Sequence, residues 1–153
     1  MRKISRAAVA AVLVTSLSVP ASARGGDMSP ADLNALKGYS LSMDKIAAMQ
    51  AAMDEAQKSG MAEKMHGTGG DAKTLAEMEA RFKSMPAAMA IFARHGLTAH
   101  DAVVMPFALM DAGMCVIYPS AAAKLADRVS PGQVAFYKQH KAELDKMKWL
   151  NGG

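Results

Sequence analysis

The chain has 153 residues, 51% of them hydrophobic, with a single cysteine and a formal charge of +4. That length suits one ordinary domain, and one cysteine excludes an intramolecular disulfide. The charge does not point to nucleic acid: Arg2, Lys3 and Arg6 fall in a segment that reads as removable, which takes +4 down by three to +1, and no arginine-rich stripe with interleaved aromatics follows.

Residues 1–23 read as a signal peptide. Arg2, Lys3 and Arg6 form a basic start, Ala7 to Val19 an apolar run, and Ala21-Ser22-Ala23 a small-residue cleavage site after Pro20. The apolar run is shorter than the ~20 residues a permanent span needs. Cleavage after Ala23 leaves Arg24, not a cysteine, at the new N-terminus, so a lipoprotein anchor is not expected. The expected location is periplasmic. Residues 24–28 read as a disordered leader, 29–150 as one helical domain and 151–153 as a tail.

Ser29-Pro30 sets a cap and a first-turn proline for a short helix to about Lys37. Ser40 or Ser42 caps the next, Met43 to about Lys58, with apolar residues at i, i+3, i+4 and i+7. Gly60 to Gly70 holds four glycines and reads as a loop. Thr74 with Glu77 opens a helix through Leu75, Met78 and Phe82. Pro86 restarts the chain, and His95-Gly96 ends a helix of about Ala87 to Arg94.

Thr98 with Asp101 then opens the stretch that organises the rest, about 98–118. Apolar residues occupy every side of it and Asp111 is its only carboxylate between Ala102 and Tyr118. Such a helix is normally surrounded by other helices or by lipid. Pro106 predicts a kink or two stacked half-helices, and Pro119 ends it. Asp111 and Pro106 near the middle argue against a membrane span in the mature chain. Ala121 to Asp127 reads as a short helix. Ser130-Pro131-Gly132-Gln133 caps a last helix to about Trp149. No segment alternates as a strand does. The expected fold is all-α, a small helical bundle around a buried central helix.

Two groups of residues are candidates for chemistry. On the last helix Phe136, Tyr137, His140, Leu144 and Met147 share about 100° of arc, with His140 in the middle. On the central helix His100, Val104, Phe107, Asp111 and Tyr118 fall within about 60°. An imidazole on an apolar face needs a partner, since a buried unpaired polar group costs roughly 1–3 kcal/mol. His140 is therefore expected to meet Asp111 or Tyr118 in the core, as a register-fixing pair or as the floor of a ligand site. Lys138, Lys141, Lys146 and Lys148 read as the solvated back of that helix.

Methionine is the second signal. Thirteen of the 14 remain after the signal segment, with i, i+4 pairs at Met49/Met53, Met61/Met65, Met85/Met89 and Met110/Met114. His66 follows one pair and Cys115 another. In an exported protein clustered thioethers with histidine or cysteine suit Cu(I), and Met61, Met65 and His66 are the candidate metal site; core filling is the plainer reading of the same spacing. Met43 or Met49 with His140 has the layout of a non-covalent haem site between helices. Cys115, in apolar surroundings, reads as a buried, unreactive thiol.

Leu41-Ser42-Met43-Asp44-Lys45, Gly96-Leu97-Thr98, Ala112-Gly113-Met114 and Val129 to Phe136 with His140 to Leu144 resemble a group of small exported bacterial helical proteins. The resemblance implies a helical fold and an exported location, and no activity. No phosphate loop, nucleophile elbow, zinc motif or paired catalytic carboxylates are found. The expected role is a non-enzymatic binding or envelope-maintenance factor with a small-molecule or protein partner; the alternative is a copper- or haem-binding protein.

Overall fold

A computed structural model describes residues 28–66 and 70–147; the signal-like segment 1–23, residues 24–27 of the leader, residues 67–69 and residues 148–153, the tail among them, lie outside it. Among the described residues there are seven α-helices and no strand: α1 (Pro30–Gly38), α2 (Met43–Lys58), α3 (Met61–Met65), α4 (Leu75–Lys83), α5 (Pro86–Arg94), α6 (Ala99–Ile117) and α7 (Pro131–Leu144). The fold is an all-α bundle. The N-caps fall where the sequence places them: Ser29, Ser42, Thr74, Thr98 and Ser130 each accept a backbone N–H of the first turn. At Thr98 and Ser130 the capping box is complete, with Asp101 and Gln133 reaching back to the cap N–H. Gly96, at φ +74°, makes the left-handed turn between α5 and α6.

α6 is the axis. Its largest interface is with α7, and it also packs on α1, α4 and α5. Leu36, Ile46, Met49, Phe92, Val104, Met105, Leu109 and Leu144 are the large side chains sealed in the core; burying each contributes roughly 1.5–3 kcal/mol. Phe82 and Phe92 meet edge to face with centroids 4.9 Å apart.

Several expectations are corrected. α6 is one continuous α-helix through Pro106, not two stacked halves, and Pro106 is half-exposed, where its ring meets least crowding. Residues 61–65 are helix, not loop: five residues are too few to show a period, yet Met61, Ala62 and Met65 pack on the core. The stretch after α6 is a 3-10 turn, Pro119–Ala121, followed by overlapping turns rather than a helix. So short a segment cannot offset the cost of nucleating a helix. α7 stops at Leu144, about four turns beyond its cap, and turns at Asp145 and Lys146.

One face of α6 is uncovered. Met110, Met114, Ile117 and Tyr118 are 51%, 39%, 50% and 55% exposed. The helix reads as apolar all round because one side faces the bundle while the C-terminal half of the other faces solvent. Among the described residues α6 alone is long and apolar enough to cross a membrane, and about half of it is buried within the bundle.

Candidate functional site

The expected meeting of His140, Asp111 and Tyr118 does not form. Asp111 is buried, but its partner is Arg128, whose Nη2 lies 2.8 Å from Oδ2. The approach is off-axis, so the contact is an ion pair rather than a directed hydrogen bond, and the buried Arg128 Nε has no hydrogen-bond partner among the described residues. Burial pushes the Asp111 carboxyl above its usual range; the Arg128 charge opposes that shift without cancelling it. Tyr118 points outward from the end of α6. His140 lies against the Phe136 ring, centroids 4.7 Å apart, with Glu143 Oε2 at 3.7 Å from Nδ1. The arc containing Phe136, His140 and Leu144 does face inward, as its period requires; only the partner is different. A salt bridge between α6 and a turn eleven residues beyond its end leaves no mark in periodicity.

The Met61, Met65 and His66 group is also divided. Met61 and Met65 pack on the core beside α2 and α5, while His66 is exposed past the end of α3. Among the described residues no three His, Cys, Asp or Glu side chains are grouped as metal ligands. Met49 is sealed in the core and Met43 packs at its edge, as do Met53, Met85 and Met89. Only the Met110/Met114 pair points away.

Two clefts remain. The first, about 510 Å³, lies between α1 and the start of α6 and holds Tyr39, Lys45, His100 and Asp101. Asp101 is fully engaged there: Oδ1 accepts from Tyr39 Oη and Lys45 Nζ, each at 2.6 Å, and Oδ2 from Thr98 N at 3.0 Å and Thr98 Oγ1 at 2.7 Å. Burial opposes its ionisation, but the hydrogen bonds from Lys45, Tyr39 and Thr98 prevail and hold the carboxyl well below the usual range. Tyr39 moves the other way, pushed far up by burial and then by its bond to that carboxylate. Both oxygens of Asp101 and the Tyr39 hydroxyl are satisfied by their neighbours. The cluster is a structural knot that fixes α1, α2 and α6.

The second cleft, about 490 Å³, is built from the end of α1, the last turns of α6, the 119–130 turns and the start of α7. Two anchors shape it. Lys37 Nζ donates to Ala126 O at 3.0 Å, tying the turns to α1. Gln133, buried, donates through Nε2 to Leu36 O at 2.7 Å and Tyr39 O at 2.9 Å, tying α7 to the same helix end. The Asp111–Arg128 pair draws the far side of the turns back onto α6. What lines the space is mainly apolar: Val116, Pro119, Leu125, Val129 and Val134, with Cys115 on the α6 side. Burial, and then the Asp111 charge, push the Cys115 thiol up, which disfavours a reactive thiolate. Among the described residues Lys37 and Lys138 are the only charged ones in the lining. The sequence marks Lys138 merely as part of a solvated helix back; Val134 and Lys138 at i, i+4 on α7 are the sole hint that it shares a face with an apolar wall.

No family model, no curated protein and no solved structure matches the chain.

Proposed function

We propose that this is an exported, non-enzymatic binding protein that takes a small apolar molecule into the cleft between α6, the 119–130 turns and α7. One observation carries the reading: a concavity of about 490 Å³ with a wall of Val116, Pro119, Leu125, Val129 and Val134. Ligand sites are generally apolar hollows of roughly 300–1,000 Å³ with few polar groups. The exported location rests on the signal-like segment ending at Ala23 and on the resemblance to small exported helical proteins.

The test uses 1-aminoanthracene, a neutral fluorophore that brightens in apolar surroundings. The protein is expected to bind one equivalent. Ala126→Trp, which fills the cleft, abolishes the gain, whereas Ala93→Trp, on the exposed side of α5, leaves it intact. No gain in the parent protein, or equal loss in both variants, sinks the reading. N-terminal sequencing of protein recovered from a periplasmic extract should begin at Arg24.

A further inference from the structure

The cleft also carries a sign. Among the described residues its lining holds two ammonium groups, Lys37 and Lys138, and no carboxylate. Several cations elsewhere are paired, Lys45 to Asp101, Arg94 to Glu55, Lys141 to Asp145 and Arg128 to Asp111, but neither lysine of the cleft has an acidic residue beside it in the lining. Lys138 has no ion-pair partner among the described residues. Lys37 gives one N–H to Ala126 O, and an ammonium has three to give. The Ser130 hydroxyl accepts from Gln133 N at the α7 cap and keeps its O–H to donate. The charged groups available to a polar ligand atom are thus both positive, with the Ser130 hydroxyl and the Cys115 thiol as neutral polar groups, while the rest of the wall offers dispersion and water exclusion. The apolar surface also does not stop at the cleft. Ile117 and Tyr118, both about half-exposed, lie in the chain between Val116 and Pro119 of the lining, and Met114 precedes them on the outer face of α6.

We infer that the ligand is a free single-chain amphiphile with an anionic head, a carboxylate or a phosphate monoester, whose head lies between Lys37 and Lys138 and whose alkyl tail lies along Val116, Leu125 and Val134. This deepens the reading of the cleft as a ligand site and rests on it. A soluble anion alone would leave the apolar wall unused. A neutral alcohol would leave both ammonium groups without a counter-charge.

Displacement of bound 1-aminoanthracene by decanoate, decyl phosphate and decanol below their aggregation limits tests the proposal, with inorganic phosphate as the head alone. The two anionic chains are expected to displace the dye at least about tenfold more tightly than decanol, the gain typical of hydrogen bonds to charged groups. Lys138→Gln should remove most of the roughly tenfold advantage of the anionic chains over decanol without changing the melting temperature, because Lys138 is exposed and, unlike Lys37, ties no element to another. Equal potency of decanol and decanoate in the parent protein overturns the anionic head while leaving the cleft standing. Inorganic phosphate competing as well as decyl phosphate overturns the tail. Co-sedimentation with phosphatidylglycerol vesicles by a protein indifferent to free decanoate moves the surface to the membrane and overturns the proposal. If the dye itself does not bind, the reading of the cleft as a ligand site fails first.

Discussion

The ring of Tyr137 lies on the bare Cα of Gly113: a methyl built at Gly113 would meet Cε2 at 2.8 Å and Cζ at 2.9 Å. This contact sets how closely α6 and α7 approach, since Gly113 is buried in the last third of α6 and Tyr137 sits halfway along α7. Gly113→Ala is expected to destabilise the protein by about 1–3 kcal/mol in urea unfolding, despite the better helix propensity of alanine. Gly132→Ala, whose added methyl finds only Ser130 Oγ at 3.8 Å, should be neutral or slightly stabilising. Equal behaviour of the two variants would show that the contact does not limit the approach.

Asp101 makes stability depend on acid. Its folded carboxyl titrates well below the unfolded one, so the unfolded chain takes up the proton first as pH falls. The stabilisation is complete above the ordinary aspartate range near ~4 and is lost below it. Unfolding free energy should therefore fall more steeply between about pH 5 and 2 in the parent protein than in Asp101→Asn. Asp101→Ala should cost about 2–4 kcal/mol at pH 7, through the lost cap and the stranded Tyr39 hydroxyl.

Asp111 runs in the opposite sense. Burial raises its folded pKa, so its own contribution favours the folded state at low pH and weakens as pH rises through the folded value. Asp111→Asn should flatten this dependence, seen as a smaller gain in the melting temperature than the parent shows as pH falls from 7 toward the ordinary aspartate value near ~4. Arg128→Met should instead leave a buried carboxylate without its charge and cost about 3–5 kcal/mol at pH 7.

Gln133 is a test of donor against acceptor. Its Nε2 serves two carbonyls and its Oε1 accepts from Ser130 N at 2.8 Å. Gln133→Leu should cost about 2–4 kcal/mol by stranding those groups. Gln133→Glu sets a carboxylate against the carbonyls of Leu36 and Tyr39, so it should be worse at pH 7 and recover as pH falls and the acid gains a proton to donate. A pH-independent Gln133→Glu stability would mean the loop simply opens to water.

The helix pattern, the caps and the inward arc of α7 were all legible from residue order, because each depends on neighbours three or four positions away. The methionine pairs were legible as spacing but not as direction: Met61/Met65 and Met85/Met89 pack on the core, whereas Met110/Met114 face out. Identical i, i+4 pairs differ only in what lies opposite them. The cleft was illegible for the same reason. Lys37 and Lys138 come together through α1 and α7, and Asp111 finds Arg128 rather than His140 because a chain of turns, with no period of its own, folds back on α6.

Two of the hydrogen bonds made by Gln133 span 97 and 94 residues of chain. A polypeptide delivered N-terminus first thus presents the carbonyls of Leu36 and Tyr39 long before their donor exists. The end of the first helix must wait, solvated, until the last helix begins to emerge. Closure of the bundle around these two carbonyls therefore has to follow the synthesis of nearly the whole described chain.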